Sequence, residues 1–485
     1  MTEDFGVVSS RATKPFFYRA PVPKEMQELV REYQLAGVEY HLARDHALFG
    51  DAPGLGKTAE CILLGNAIRA ERTLVICPAS LRLKWEREVW MWSDIPGVST
   101  YPILKSRDGV SLEADYVITS YAMLLNKGVR EAILAARWDH LILDEAHAIK
   151  DPRGNKRTRV ICAPDQLPSV VGRITMASGT ILPNQPIECY NAVRLLCWDA
   201  IDRASLADFR EHYYDFGGGM VMGPQFNVRT QTWSRKLHWS EHVRNVPRNL
   251  ADLQHRLRKH VMVRRLKDQV LRELPRRQWQ PFPLEPTADI RRALRHEGWA
   301  MAEKLYEMDP DSFGAGAVVD GAIATARRLL GEAKAAGVAD YARELLRAGA
   351  EKIVVGAWHL SVLAMLRESL KDFGIAYLDG STSATNKQLA VDMFQGDLKT
   401  RVILGQVMVM GEGWDLHAAQ DVVLAEPDWV PGRLNQLLDR IHRLGQTGDH
   451  VIGHLPVVPG TLDERIIGVA IKKDQHIYAA LDERS

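Results

Sequence analysis

The chain has 485 residues, and its 62 Lys and Arg residues nearly balance its 61 Asp and Glu residues, which gives a formal net charge of +1. This length exceeds what one hydrophobic core usually serves, so we expect two or more domains, and the balanced charge excludes a globally basic nucleic-acid-binding protein. No apolar run is long enough to span a bilayer and the N-terminus lacks a signal-peptide pattern, so we expect a cytoplasmic protein without membrane contact.

The cysteines argue against two kinds of site. The chain has five of them, an odd number, and no two form a CxxC pair. This pattern disfavours both a disulfide framework and a structural zinc centre. We expect reduced thiols, most of them buried.

The N-terminal part of the chain predicts a strand, a glycine-rich turn and a helix. Residues 1–25 lack periodicity and are interpreted as an arm, whereas residues 26–42 carry a helical pattern that includes Gln34. The apolar run His46–Gly50 then leads into Asp51–Thr58 and a second helical segment. This order is the context that a phosphate-binding loop requires.

The turn holds the residue types that bind phosphates. Backbone amides of Gly54, Gly56 and Lys57 can converge on phosphate oxygens at a helix N-terminus, where negative charge is favoured. Lys57 adds an ammonium group, and Thr58 adds a hydroxyl that can ligate Mg²⁺. Asp51 stands where the general GxxxxGK[ST] pattern has its first glycine. The predicted nucleotide-binding residues of the turn are Gly54, Leu55, Gly56, Lys57 and Thr58.

Aliphatic strands and helices alternate in the segment that follows. The runs at 73–77, 115–119 and 140–144 are nearly all aliphatic, which predicts a parallel sheet with helices on both faces. Asp144 and Glu145 lie at the carboxyl end of the last run, the edge at which such sheets bind ligands. We predict that Asp144 holds Mg²⁺ and that Glu145 polarises the attacking water.

The middle of the chain has a different composition. Residues 203–277 contain aromatic residues, a triple glycine and a dense cationic stretch, and we interpret them as a helical, basic insertion. Its cationic stretch is either a nucleic-acid-binding surface or a solvated helix face. Residues 278–345 contain prolines followed by an Ala/Arg/Glu-rich stretch, which predicts a linker and a helical extension.

A second series of strands and helices predicts a second α/β lobe over residues 346–485, after a first lobe over 26–202. It contains the segment Gln436–Gln446. Pro431 before this segment and Gly445 near its end are suited to the start and the stop of one helix. The aliphatic residues expected to anchor the helix are Leu437, Ile441 and Leu444.

That helix presents two guanidinium groups side by side. Gln436, Arg440 and Arg443 recur at i, i+4 and i+7, which places them on one face. Asp439 precedes Arg443 by four residues, and we expect the two to form an ion pair. Only the first lobe has a phosphate loop, so we expect two lobes that flank a nucleotide cleft, with the arginines facing the γ-phosphate.

In this order, the motifs resemble those of superfamily-two helicases, and within them the SWI/SNF-type ATPases, whose two lobes are RecA-like. The resemblance covers roughly residues 28–447. Asp51–Thr58 is similar to the family's first motif, which also carries aspartate at this position. Asp144–His147 is similar to its acidic box, and Gln436–Gln446 is similar to its last motif almost residue for residue. The chain looks like a minimal motor, similar to small bacterial or phage members and to the annealing-helicase branch.

The resemblance implies roles for further residues. Gln34 stands in the place of an adenine-sensing glutamine, and Gly413 and Gln436 are expected beside the nucleotide. The residues for which it implies catalysis are Lys57, Asp144, Glu145, Arg440 and Arg443. The residues for which it implies coupling to DNA are Ser80, Ser178, Gly179, Thr180, Ser381 and Thr382.

One residue and one run of residues depart from the family pattern. Ile181 follows Thr180 where the family usually has proline. The run Gln406–Met410 replaces one that usually holds small hydroxyl residues. We therefore assign no DNA contacts to the side chains of Gln406–Met410.

The resemblance implies an ATP-dependent, DNA-stimulated translocase on double-stranded DNA that remodels DNA, displaces protein or reanneals strands. ATP and Mg²⁺ are the implied cofactors, and contact with the duplex backbone would be largely independent of sequence. Forked and single-stranded DNA stay open as further partners. Two alternatives also stay open: a strand-separating helicase on DNA or RNA, and a nucleotide-switched binding subunit with little turnover. A bacterial or phage-infected host cell is the expected setting.

Overall fold

The computed structural model of the protein describes residues 4–111, 113–152, 154–179, 181–182, 185–227, 232–271, 274–295, 317–411, 413–428, 430–443 and 445–481. The chain divides into two compact units. The first comprises Met1–His212, Asn249–Leu274 and Ile477–Ser485, and the second comprises Tyr213–Arg248 and Pro275–His476.

Strands and helices alternate along most of the described chain. In chain order the strands are β1 Ala47–Phe49, β2 Thr73–Cys77, β3 Thr100–Pro102, β4 Tyr116–Ser120, β5 Trp138–Asp144, β6 Val171–Ala177, β7 Tyr214–Asn227, β8 Thr232–Pro247, β9 Met262–Val263, β10 Arg276–Pro283, β11 Ile353–Ala357, β12 Ile375–Leu378, β13 Val402–Gln406, β14 Asp421–Leu424 and β15 His450–Val457. The helices are α1 Phe5–Ser10, α2 Glu32–Leu42, α3 Lys57–Ile68, α4 Arg82–Trp92, α5 Lys127–Ala135, α6 Lys156–Cys162, α7 Tyr190–Leu196, α8 Leu206–Tyr213, α9 Leu250–His260, α10 Lys267–Val270, α11 Ala288–Ala293, α12 Ala317–Arg347, α13 Leu360–Leu370, α14 Ala384–Gly396, α15 Val407–Met410, α16 Pro431–Ile441 and α17 Leu462–Leu481.

The first unit is built on a seven-stranded sheet with the strand order β3-β4-β2-β5-β6-β1-β9. Every pairing in it is parallel. All residues of β2 and β4 are buried, as expected for aliphatic strands that are covered on both faces. Apolar side chains of α2, α3 and α4 contribute to the hydrophobic core on this sheet.

The second unit is built on a six-stranded parallel sheet with the order β10-β15-β14-β11-β13-β12. Its first strand lies where the sequence predicts a linker. Pro281 and Pro283 belong to that strand, and they are tolerated because β10 is an edge strand, where some backbone N–H groups face away from the ladder. Two parallel sheets with helices confirm the predicted α/β fold of two parallel-sheet lobes.

The segment predicted as a helical insertion contains a long antiparallel hairpin. β7 and β8 pair over most of their length, with a register shift between Gly217 and Gly219 in the triple glycine. β9 belongs to the first sheet and β10 to the second. The segments between the two predicted lobes therefore supply strands to both sheets.

Two predicted helices are shorter than expected. The first begins at Glu32 rather than Met26, because the Gln34 carboxamide oxygen accepts from the Arg31 backbone N–H at 2.9 Å and closes the helix start. The helix that carries Arg440, here called the arginine helix, ends at Ile441 rather than near Gly445. Beyond its end, the His442 imidazole donates to the Pro275 carbonyl at 2.8 Å. Leu444 lies outside the described residues.

Two further predictions concern the cysteines and membrane-spanning helices. Cys61, Cys77 and Cys189 are buried, the other cysteines are half-buried, and all five are free thiols, as predicted. Among the helices that the structure describes, we find none with the length and apolarity needed to cross a bilayer.

Candidate functional site

The glycine-rich turn joins β1 to the N-terminus of α3. Gly54 and Gly56 adopt positive φ angles of 87° and 82°, which glycine reaches without steric cost. A Cβ atom on Gly56 would meet Gln34 Nε2, so the Gln34 side chain would have to move to admit any other residue. Lys57 and Thr58 are the first residues of α3. The turn therefore delivers the chain to a helix N-terminus, where backbone N–H groups attract an anion.

The Lys57 ammonium lies within the turn itself. Its Nζ donates to the carbonyl oxygens of Asp51 at 2.8 Å and Ala52 at 3.3 Å. Burial lowers the pKa of Lys57, and the surrounding carboxylates, with Glu145 contributing most, oppose this shift. The geometry holds a cation at the position where a phosphate-binding loop needs one.

Residues of α2 support the apex of the turn. The Leu55 carbonyl accepts from Gln34 Nε2 at 3.1 Å and from the Tyr33 hydroxyl at 3.0 Å. Leu55 itself is fully buried. Gln34 thus uses its oxygen on Arg31 and one N–H on Leu55, and its amide nitrogen carries a second hydrogen. The predicted adenine-sensing residue touches the phosphate loop directly.

A buried ion cluster lies beneath the turn. The Arg265 backbone N–H and Nε both donate to Asp51 Oδ1, at 2.8 and 3.0 Å, and Nη2 contacts Asp51 Oδ2 as well as Glu60 Oε1, the latter at 2.8 Å. All three side chains are 0% exposed. Burial and the Asp51 carboxylate raise the pKa of Glu60 well above its usual value. Removing one partner of such a cluster typically costs about 3–5 kcal/mol, because a buried charge is left uncompensated.

This cluster explains why aspartate replaces the first glycine of the general loop pattern. The Asp51 carboxylate is needed for Arg265, which also donates to the carbonyls of Tyr33 and, at 3.2 Å, Ala12. One guanidinium therefore ties the turn, α2, α3 and the N-terminal arm together.

The cationic stretch that contains Arg265 was predicted to lie at the surface, and four of its residues are buried instead. Arg258, Arg264, Arg265 and Lys267 are at most 9% exposed. Arg264 donates to the Gly50 carbonyl at 2.7 Å, and Arg258 donates to the Arg264 carbonyl at 3.0 Å. The prediction of a basic surface is wrong for these four residues, because all four are buried and the three arginines donate to internal carbonyl and carboxylate oxygens.

The acidic pair lies at the same sheet edge as the turn. Phe49 at the end of β1 and Asp144 at the end of β5 both pair in register with Ala177 of β6, which lies between them. All three strands are parallel, so the turn, Asp144 and Glu145 emerge at one carboxyl edge. Neighbouring strands are about 4.8 Å apart, which places Asp144 about 10 Å from the last residue of β1.

Each oxygen of the Asp144 carboxylate has a hydrogen-bond donor. Trp85 Nε1 donates to Oδ2 at 2.7 Å, and the Glu145 backbone N–H donates to Oδ1 at 3.0 Å. The Tyr121 hydroxyl donates to the Asp144 carbonyl at 2.7 Å. Burial, followed by the charge of Glu145, raises the pKa of Asp144 to about 6, and the Trp85 hydrogen bond opposes this shift. Glu145 has a φ of 52° and its carboxylate lies 3.2 Å from His147 Nδ1.

Thr58 and Asp144 supply a hydroxyl and a carboxylate at this edge, and oxygen donors of this kind suit Mg²⁺. Within the described residues there is no group of three or more His, Cys, Asp or Glu side chains arranged to hold a metal. Mg²⁺ usually takes one or two protein oxygens and completes its shell with phosphates and water. Asp144 and Thr58 are the predicted ligands, and both belong to elements that meet at this edge.

The predicted coupling residues of the first unit lie near the turn. Ser178 follows β6, and its hydroxyl is 3.4 Å from His147 Nδ1. A Cβ atom on Gly179 would lie 2.7 Å from Pro53 Cδ and 3.0 Å from the Asp51 carbonyl, so Gly179 packs directly on the turn. Thr180 lies outside the described residues. Ser80 is half-buried after β2, and its hydroxyl has no hydrogen-bond partner within the part of the chain that the structure describes.

In the second unit, the two predicted arginines contact one loop. Arg440 is 3% exposed, and its Nη2 donates to the Gly411 carbonyl. Arg443 pairs with the Asp415 carboxylate. Gln436 lies on the same side, because a Cβ atom on Gly411 would be 3.7 Å from its Oε1. Gln436, Arg440 and Arg443 therefore gather around residues 411–415, where Gly413 is buried with a φ of 65°.

The predicted ion pair between Asp439 and Arg443 is wrong. Arg443 lies beyond the end of α16, and its Nε donates at 3.0 Å to the backbone carbonyl of Asp439 rather than to the carboxylate. The Asp439 carboxylate pairs with Arg277, which lies in β10. The i, i+4 rule fails here because the helix ends before its second partner.

Ser381 and Thr382 follow β12 and are held by Asp379. The Asp379 carboxylate accepts from both hydroxyls, at 2.7 and 2.9 Å, and from both backbone N–H groups, at 2.9 Å each. A phosphate oxygen needs a hydrogen-bond donor, and these donors are engaged by the carboxylate. In the run Gln406–Met410, the side chains of Val407, Val409 and Met410 are buried in the core, whereas Met408 is 51% exposed.

Sequence reasoning missed three residues around the site, namely Trp85, Arg265 and Asp415. Arg265 is 214 residues from Asp51, so no local pattern links them. Trp85 lies on α4, 59 residues before Asp144, and its indole N–H reaches the acidic pair. Asp415 lies in the loop after α15, 28 residues before Arg443, so no local pattern links the two.

Two family domains match the chain. An SNF2-related domain matches residues 33–314, which is more than half of the chain, and a helicase conserved C-terminal domain matches residues 338–445. The chain belongs to the SNF2-related family. The predicted resemblance to SWI/SNF-type ATPases is therefore confirmed.

Curated relatives in the SNF2-related family include two types of protein. The chain is 30% identical over 477 residues to the DNA annealing helicase and endonuclease ZRANB3 of Bos taurus, covering 96% of this chain and 41% of that protein. It is 30% identical over 446 residues to the SWI/SNF-related matrix-associated actin-dependent regulator of chromatin subfamily A-like protein 1 of Xenopus tropicalis, covering 89% of this chain and 43% of that protein. The chain thus spans about two fifths of the length of these relatives.

A solved SNF2 structure also matches. It is the Sulfolobus solfataricus SWI2/SNF2 ATPase core in complex with dsDNA, with 19% sequence identity and a TM-score of 0.41. The match covers 97% of this chain and 99% of that chain.

Proposed function

We propose that the protein is an ATP-dependent, DNA-stimulated translocase on double-stranded DNA. The observation that carries the proposal is the phosphate loop at Asp51–Thr58 beside Asp144 and Glu145 at one sheet edge, in a chain with both SNF2-family domains. In this proposal residues 26–202 form the core of the nucleotide-binding lobe, to which β9 adds a strand, and residues 346–485 form the core of the arginine lobe, to which β10 adds a strand.

In this proposal the first unit binds ATP and prepares the attacking water. The amides of Gly54–Lys57 and the Lys57 ammonium bind phosphate oxygens, and Thr58 and Asp144 hold Mg²⁺. The metal, when bound, neutralises phosphate charge that develops during the reaction. Glu145, whose backbone adopts a left-handed conformation directly after β5, accepts a hydrogen bond from the attacking water in this proposal. Gln34 senses the nucleotide through its contact with the loop.

The second unit supplies the arginines. Arg440 and Arg443 stabilise the charge that develops on the γ-phosphate, a contribution worth about 10³–10⁵ in turnover in comparable enzymes. Arg443 exchanges its Asp415 partner for phosphate, because a carboxylate and a phosphate offer the same acceptor geometry to a guanidinium. Gln436 and Gly413 lie beside these two arginines on the second unit.

Double-stranded DNA is the proposed track. Names of the relatives support this choice, since one is described as a DNA annealing helicase and endonuclease. Ser80, Ser178 and Gly179 are the proposed coupling residues on the first unit. On the second unit, Ser381 and Thr382 contact a phosphate only after exchanging Asp379 as hydrogen-bond acceptor. Contact with the backbone makes binding salt-sensitive and largely independent of sequence.

Two other functions make different use of the same residues. A strand-separating helicase would hydrolyse ATP in response to single-stranded or forked nucleic acid. A nucleotide-switched binding subunit would bind ATP with little turnover. The presence of Glu145 and both arginines supports turnover, because a binding switch needs neither a water-polarising carboxylate nor a γ-phosphate-stabilising arginine.

Steady-state ATP hydrolysis tests the proposal. Turnover is measured without nucleic acid and with duplex, single-stranded and forked DNA and with RNA, at low and high salt. We expect the largest stimulation with duplex DNA and a loss of stimulation as salt rises. A larger response to single-stranded DNA or RNA favours the strand-separating helicase, and no turnover with any of them favours the binding subunit. Glu145→Gln serves as the inactive control.

A further inference from the structure

The Trp85 indole is placed where it can act on the predicted metal ligand. Trp85 lies on α4, is 1% exposed and belongs to the hydrophobic core of the first unit. Its Nε1–H reaches out of that core to Asp144 Oδ2 at 2.7 Å. An indole N–H can only donate a hydrogen bond, so the Asp144 oxygen is the acceptor in this contact. The single polar group of this core side chain therefore donates to the acidic pair.

The geometry fixes both oxygens of one carboxylate. Oδ1 accepts from the Glu145 backbone N–H at 3.0 Å while Oδ2 accepts from the indole. The Tyr121 hydroxyl holds the adjacent carbonyl of Asp144 at 2.7 Å. Each oxygen has a further lone pair, and the orientation of those lone pairs follows from the two donors. Without the indole, only the Glu145 backbone N–H would restrain rotation of the carboxylate about its Cβ–Cγ bond.

We propose that Trp85 is a positioning residue that orients Asp144 toward Mg²⁺ in the nucleotide complex. Partners of metal-ligating groups fix ligand orientation, and their loss typically lowers metal affinity or activity by about 10–100-fold. Trp85 touches neither the nucleotide nor the reacting atoms in this role, and acts through Asp144. The inference rests on the proposed binding of a magnesium nucleotide at this site.

Another tryptophan of the same unit provides a matched control. Trp138 begins β5, the strand that ends at Asp144, and is 2% exposed. Its Nε1 donates to the Ile133 carbonyl at 3.0 Å. Trp85→Phe and Trp138→Phe therefore remove equally buried indole donors, but only the first removes a donor to Asp144.

The experiment measures binding of a fluorescent ATP analogue as Mg²⁺ is titrated, and again in EDTA. For Trp85→Phe we expect the Mg²⁺ concentration for half-maximal binding to rise about tenfold or more, with analogue affinity in EDTA unchanged. Trp138→Phe should match the wild type in both measurements. Replacing Trp85 by benzothienylalanine, which keeps the bicyclic ring and lacks only the N–H donor, should reproduce the Trp85→Phe shift without a cavity.

Three outcomes are distinguishable. Unchanged Mg²⁺ dependence in the benzothienyl variant would overturn the positioning role. An equal shift in Trp138→Phe would also overturn it, because general destabilisation would then explain the effect. Failure of the wild type to bind the analogue in the presence of Mg²⁺ would instead contradict the proposed function, on which this inference rests.

Discussion

Lys57→Ala is expected to abolish ATP turnover, with a fall of at least about 10²–10³. The substitution removes the ammonium that lies within the phosphate loop, on the carbonyls of Asp51 and Ala52. Alanine is a good helix former, so the start of α3 should persist. We therefore expect a folded protein that has lost phosphate affinity. Turnover and ATP-analogue binding, measured together with thermal unfolding, check this result.

A surface lysine of the same unit provides the control for that prediction. Lys127 has an 80% exposed side chain and a weak contact with Glu131 at 3.8 Å. Lys127→Ala should leave turnover and stability near their wild-type values, since exposed pairs of this kind contribute little. Turnover by Lys57→Ala at a rate close to that of Lys127→Ala would contradict the assignment of the phosphate site.

Arg440→Ala is expected to lower turnover by about 10³–10⁵ while ATP binding changes far less. The physical reason is that the guanidinium acts on charge that appears only as the γ-phosphate is transferred. Arg440 is also buried against the Gly411 carbonyl, so some loss of stability in the second unit is expected. Arg440→Lys should fail as well, because an ammonium lacks the planar fork that binds two oxygens.

Binding and turnover must be separated to test that prediction. Single-turnover hydrolysis and analogue binding are measured for Arg440→Ala, with Arg292→Ala as a control, since Arg292 is an 82% exposed arginine of the same unit. The control should behave as the wild type. Near-normal hydrolysis by Arg440→Ala would rule out its action on the γ-phosphate and would leave Arg443 as the candidate.

Much of the fold is predictable because its signals are local. Continuous aliphatic runs such as Leu141–Leu143 predict buried parallel strands, and a glycine-rich turn between a strand and a helix predicts a phosphate loop. The order of such elements along the chain is enough to indicate two α/β lobes. Each of these inferences depends on residues that are close in sequence.

The errors arise where distant segments meet. The cationic stretch near Arg265 looks like a surface in sequence, but the Arg265 guanidinium is buried against Asp51 and Glu60, which are more than 200 residues away. The prolines of β10 look like a linker, and only the edge position of the strand makes them compatible with a sheet. Local sequence patterns indicate neither the carboxylates that contact Arg265 nor the edge position of β10.

The arginine helix shows both situations at once. Its face was predicted from spacing, and the structure brings Gln436, Arg440 and Arg443 to one loop. The same spacing predicts an ion pair between Asp439 and Arg443, which is wrong because the helix ends at Ile441 and Arg443 pairs with Asp415 instead. Periodicity predicts which residues share a face only as far as the helix extends.

Displacement of a third strand from a DNA triplex tests the central claim most directly. A motor that moves along duplex DNA displaces the third strand without separating the duplex. We expect ATP-dependent displacement by the wild type, none by Lys57→Ala, and no unwinding of a forked duplex of equal length. Unwinding of the fork without triplex displacement would contradict translocation on double-stranded DNA and support a strand-separating helicase.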